Sequence, residues 1–119
     1  MFQVEVLYNQ IMDERMVSSI VQQCKELLTR YYGSRLRGVI LYGSTARGEA
    51  GLGSDIDLLI LLSAPFDYFA ELRQIVDLLY PVQLESERLI SAKPALASDY
   101  EAVRELGMYW LVLNAASPR

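Results

Sequence analysis

Residues 39–62 constrain this chain more tightly than any other stretch. A short apolar strand, Val39-Ile40-Leu41-Tyr42, leads into Gly43-Ser44-Thr45-Ala46-Arg47-Gly48. A loop, Glu49-Ala50-Gly51-Leu52-Gly53-Ser54, follows, and Asp55-Ile56-Asp57 then opens a second apolar run that ends at Leu62. Strand side chains alternate with period two, so Asp55 and Asp57 share one face while Ile56 and Leu58 point to the other, into a core. Two neighbouring carboxylates repel each other unless a cation or a proton sits between them. Gly43-Ser44 stands where a strand turns toward a helix. Small residues there let backbone N–H groups and the helix N-terminus approach an anionic phosphate. A phosphate cradle followed, after ten intervening residues, by a carboxylate pair describes a nucleotide–metal site.

Composition narrows the alternatives. With 119 residues the chain is expected to form a single domain, residues 1–119, around one core. The apolar share of 52% leaves some apolar surface for a partner. A formal net charge of −4 without a basic run argues against non-specific nucleic-acid binding, which rests on clustered Lys and Arg. The absence of His removes imidazole zinc sites and His-based general-base chemistry. A lone cysteine, Cys24, excludes an internal disulfide and fits a reducing cytoplasm. No signal peptide is visible, and no apolar run approaches the roughly 20 residues that span a bilayer, so a cytoplasmic protein away from membranes is expected.

Around the central stretch, residues 1–7 alternate like a short strand or extended arm. Residues 13–32 carry Met16, Val17, Ile20, Val21, Cys24, Leu27, Leu28 and Tyr31 at helical spacing. Cys24 lies on that stripe and is expected to pack rather than react, and Gly33 is a C-cap. Strands are expected over 38–42 and 55–62, with one or two helical turns over 45–49 between them. Ser63-Ala64-Pro65 breaks the pattern, Asp67 is an N-cap, and a second amphipathic helix runs to Leu79, where Pro81 stops it. Residues 82–86 read as a third strand, with Gln83 and Glu85 on one face. Residues 87–97, interrupted by Pro94, look like a loop or irregular turn. Ser98 or Asp99 caps a last helix through Leu106, and 108–113 form a fourth strand, with continued helix as the alternative. The tail 114–119 is expected to fray.

The joint pattern of Gly43-Ser44, Arg47-Gly48 and Ser54-Asp55-Ile56-Asp57 with its apolar flanks resembles the nucleotidyltransferases of the DNA polymerase β superfamily. The string GSTARGEAGLGSDIDLLILL is most similar to the minimal nucleotidyltransferase branch. The match is specific over residues 38–62, and elsewhere only the order of elements fits. The resemblance implies an α/β (α+β) nucleotidyltransferase fold, a small mixed β-sheet flanked by helices. It implies Asp55 and Asp57 as catalytic residues that hold Mg²⁺, and Gly43 and Ser44 as holders of the β- and γ-phosphates. Arg47 would reach a phosphate as a charged fork, and Ser54 would orient Asp55 or cap the strand entry. The plainer alternatives are a solvated Arg47 and a Ser44 that only caps a helix. The family pattern adds a third carboxylate on the neighbouring strand. Glu85 would preserve it, whereas Gln83 or Pro81 at that place would cost the site a ligand.

The implied activity is Mg²⁺-dependent transfer of a nucleoside monophosphate, AMP from ATP, to a hydroxyl on a partner protein. Minimal members of the family are often paired with a helical HEPN-type ribonuclease, which they restrain as antitoxins. A catalytically weak module that neutralises such a toxin by binding alone is the alternative, and a homo-oligomer is the other partnership considered. Transfer to a small molecule such as an aminoglycoside fits less well, because no acceptor-binding domain is expected in so short a chain. Trp110 is read either as a core side chain or as part of a partner surface.

Overall fold

The structure, a computed structural model, describes residues 2–43, 55–104 and 111–113, with side chains described over 14–43 and 55–100. Helix α1 spans Phe2–Tyr32, so within the strand or arm expected over 1–7 residues 2–7 are instead helical. Val4, Leu7 and Ile11 recur at helical spacing, and no Gly or Pro interrupts the chain from Phe2 to Tyr32. Val17, Ile20, Val21, Cys24 and Leu28 bury the inward stripe, whereas Met16 and Tyr31, expected on it, are exposed. Burial pushes the Cys24 thiol up to about 12, so it stays protonated and inert. Gly33 ends the helix at φ +58, a left-handed conformation that costs glycine little. A 3₁₀ turn, Gly33–Arg35, then hands the chain to strand β1, Leu36–Tyr42.

Strand β2, Ile56–Leu62, pairs antiparallel with β1. After Ser63-Ala64-Pro65 comes helix α2, Tyr68–Ser86, capped by Asp67, whose Oδ1 accepts from the Ala70 backbone N–H at 3.3 Å. The expected stop at Leu79 and Pro81 is corrected here, because the helix runs through Pro81 to Ser86. Proline forfeits one helical hydrogen bond and crowds the carbonyl four residues back. Pro81 is exposed, so the disturbed turn faces water, while Ile75, Leu79 and Val82 keep the buried stripe intact. Glu87, at φ 58, ends the helix with its N–H on the Gln83 carbonyl at 3.0 Å.

The third strand is therefore not 82–86 but β3, Ile90–Leu96, within the stretch expected to be a loop. It runs parallel to β2, which makes β2–α2–β3 a helical crossover unit. Among the described residues the sheet order is β3-β2-β1-β4, so Pro94 sits on an edge strand, where a missing N–H is tolerated. Helix α3 spans Ala97–Arg104, so Ser98 and Asp99, each expected as its cap, lie inside its first turn. Strand β4, Leu111–Leu113, pairs antiparallel with β1, within the predicted fourth strand. The expectations for 45–49, 105–110 and 114–119, Trp110 included, lie outside the described residues.

The two faces of the sheet have different tasks. Val39, Leu41, Ile56, Leu58, Ile60, Leu62 and Ala92 form the main core with α1 and α2. Each of the Val, Leu and Ile side chains contributes about 1.5–3 kcal/mol through burial. Ile40, Leu61 and Tyr100 form a smaller cluster on the opposite face, where α3 lies. Asp57 and Leu59 alternate with Ile56 and Leu58, so they belong to this second, less covered face. At the far end of β1, Arg35 Nη2 meets Glu71 Oε2 at 2.9 Å and Tyr32 Oη donates to Glu71 Oε1 at 2.9 Å. These contacts join the end of α1 to the start of α2. Among the described residues no helix is long and apolar enough to cross a membrane.

Candidate active site

β1 and β2 bring the two halves of the sequence pattern to one end of the sheet. Their register sets Tyr42 opposite Asp57, which puts Gly43 at the carboxylate. A Cβ built on Gly43 would stand 2.5 Å from Asp57 Oδ2 and 3.4 Å from its Cγ, and the residue has φ +77. Glycine is thus required twice, by the backbone angle and by the close approach. Asp55 lies just before β2 and is exposed, while Asp57, inside the strand, is half-buried.

The electrostatics match this placement. Burial, followed by the neighbouring Asp55 charge, raises the Asp57 pKa, and the positive charge of Lys93 opposes the rise. The Tyr42 phenol is likewise pushed up, first by burial and then by the Asp57 carboxylate. A carboxylate pair strained in this way is relieved by a nearby cation. Hard carboxylate oxygens suit Mg²⁺, which commonly takes one or two carboxylates plus substrate phosphates and water. Among the described residues no three His, Cys, Asp or Glu side chains gather into a metal-binding group.

Not every expected residue joins the pair. Glu85 is on α2, exposed, lining an open groove with Arg15, Met16 and Ser19 of α1. Helices α1 and α2 cover the sheet face opposite Asp57, so the structure separates Glu85 from the carboxylate pair. Gln83 is committed elsewhere, accepting from the Ile90 backbone N–H at 2.9 Å through Oε1, and Pro81 is inside the helix. On the neighbouring strand it is Ser91 that stands opposite Asp57, with Lys93 two residues further on the same face. Ser44, Arg47 and Ser54 lie outside the described residues. Lys93 is the site-face residue that the sequence reading missed. Its signal was the alternation of Ser91 and Lys93 with the inward Ile90 and Ala92, masked by Pro94.

Comparison with known proteins agrees with this geometry. The model of the nucleotidyltransferase domain family matches residues 17–100. One protein of Methanocaldococcus jannaschii, described as a "putative protein adenylyltransferase", is 36% identical over 77 residues, covering 61% of this chain and 77% of that protein. Another of the same organism and description is 40% identical over 50 residues, 42% of this chain and 34% of the relative, so the match spans about a third of the latter. The glycine-backed Asp57 on β2, with Asp55 just before it, and a family match from α1 to α3 lead to one conclusion: this chain belongs to the nucleotidyltransferase family, in its minimal form.

Proposed function

We propose that this nucleotidyltransferase moves an adenylyl group from ATP, with Mg²⁺, onto a hydroxyl of a partner protein. The observation that carries the proposal is the Gly43 main chain packed against the Asp57 carboxylate beside Asp55. The descriptions of the two relatives support the choice of an adenylyl donor and a protein acceptor. In the transfer, the acceptor oxygen bonds to the α-phosphorus, the bond to the oxygen bridging the α- and β-phosphorus breaks, pyrophosphate leaves with that oxygen, and the hydroxyl proton passes to water. Asp55 and Asp57 would hold Mg²⁺, which supplies charge neutralisation and Lewis-acid polarisation of the phosphates. Asp57 is fixed by its strand register, and Gly43 keeps the phosphate approach open. Ser44 and Arg47 would take the β- and γ-phosphates, and Ser54 would orient Asp55. The acceptor belongs to a HEPN-type helical partner in the cytoplasm, which the transfer restrains as an antitoxin does.

A second reading has a specific observation behind it. β3 presents Ser91 and Lys93, not a carboxylate, next to Asp57. That favours a slow or inactive module that neutralises its partner by binding. Incubating the purified protein with Mg²⁺ and a HEPN-type helical protein, using ATP labelled at the α- or the γ-phosphate, separates the two. The enzyme labels its partner from the α-position only, and Asp57→Ala abolishes the label. A complex that neutralises the partner without label, unchanged by Asp57→Ala, would establish the binding module instead.

A further inference from the structure

We propose that Lys93 is a phosphate-binding residue of this site, gripping the triphosphate of the nucleotide from β3. The inference rests on the nucleotide-site reading above and adds to it a residue that the Gly-Ser and Asp-x-Asp pattern does not contain. Three observations converge on Lys93. The parallel register of β2 and β3 pairs Asp57 with Ser91 and Leu59 with Lys93, which sets the Lys93 side chain on the Asp57 face. From strand rise and strand spacing, the Cα atoms of Asp57 and Lys93 lie about 8 Å apart, within reach of a flexible four-carbon stem. Lys93 is exposed, whereas its strand neighbours Ala92 and Pro94 are buried, so its ammonium is free to meet a ligand from solvent.

Charge then decides the ligand. Lys93 shares the sheet face of Asp57, one strand over and two residues along, so its positive charge lies beside the carboxylate pair. With Asp55 and Asp57 negative and Lys93 positive, the three side chains sum to one negative charge. One divalent cation turns that sum positive, and a polyphosphate anion is the ligand that restores balance. An ammonium on the third side of the site cannot ligate a metal, having donors and no acceptor. It can donate to phosphate oxygens as a mobile point charge.

The test is titration of the full chain with ATP and with adenosine, both in Mg²⁺, for wild type, Lys93→Ala, Lys93→Arg and Asp57→Ala. Loss of one charge-assisted phosphate contact is expected to weaken ATP binding by about tenfold in Lys93→Ala. Lys93→Arg should restore most of it, and adenosine, which lacks phosphates, should bind wild type and Lys93→Ala alike. Equal ATP affinity of wild type and Lys93→Ala, with Asp57→Ala impaired, would overturn the role of Lys93 and leave the nucleotide site standing. A parallel loss of adenosine binding, or no rescue by arginine, would reduce Lys93 to a structural residue. If wild type binds no ATP at millimolar concentration, both the site reading and this inference fall.

Discussion

Replacing Gly43 with alanine should damage this protein through two separable terms. At φ +77 a residue with a Cβ is held in the left-handed region, which costs about 1–2 kcal/mol. The added Cβ would also stand 2.5 Å from Asp57 Oδ2, so the carboxylate must swing aside. Driving a side chain off its rotamer costs about 0.5–1.5 kcal/mol. The sum, about 2–3 kcal/mol, corresponds to a fall in Tm of roughly 10 °C for a domain of this size. Chemical denaturation of wild type, Gly43→Ala, Asp57→Ala and the double variant separates the terms. The backbone cost persists in the double variant, whereas the clash vanishes, leaving a coupling of about 1 kcal/mol. ATP binding should be lost in Gly43→Ala because the displaced carboxylate no longer faces the phosphates. Stability within about 0.5 kcal/mol of wild type, with unchanged ATP affinity, would refute the close approach of Gly43 to Asp57.

Further outcomes follow from the same contacts. Asp57 has a folded-state pKa above its ordinary 3.8, so its ionisation works against folding. Stability is fully retained below pH 3.8 and is lost as pH rises through the folded pKa. Asp57→Asn should therefore be more stable than wild type at pH 7 without Mg²⁺, a gap that closes at pH 3, as measured by urea denaturation across that range. Glu71→Ala should destabilise by about 2 kcal/mol in urea, because it strips Arg35 and the Tyr32 hydroxyl of a partly buried acceptor. Glu85→Ala should leave ATP binding within twofold of wild type, since Glu85 is on the helical layer and not at the Asp pair. A strong loss there would return Glu85 to the site.

The juxtaposition at the centre of the candidate site was legible in the sequence because its determinants are local. Gly43, Asp55 and Asp57 declare themselves by strand alternation and a turn that only glycine fits, and neighbouring strands of one hairpin bring them together. The Asp67 cap, the Gly33 terminator and buried Cys24 were readable for the same reason. What was lost depended on partners distant in sequence. Pro81 carries a real local penalty, yet its position on the wet side of α2, with Val82 buried beside it, lets the helix continue. β3 contains Lys and Pro, and it becomes a strand only through parallel pairing with β2 across a helical crossover. The false strand over 82–86 placed Glu85 beside the Asp pair. The true one supplies Ser91 and Lys93 instead.

The central claim is that Asp55 and Asp57, backed by Gly43, form a metal-dependent nucleotide site. Calorimetric titration with ATP, with and without Mg²⁺, of wild type and of the Asp55→Ala/Asp57→Ala variant tests it most directly. The account predicts ATP binding that needs Mg²⁺ in wild type and is lost in the double variant while the fold remains intact. Mg²⁺-independent binding, or equal binding by both proteins, would contradict it.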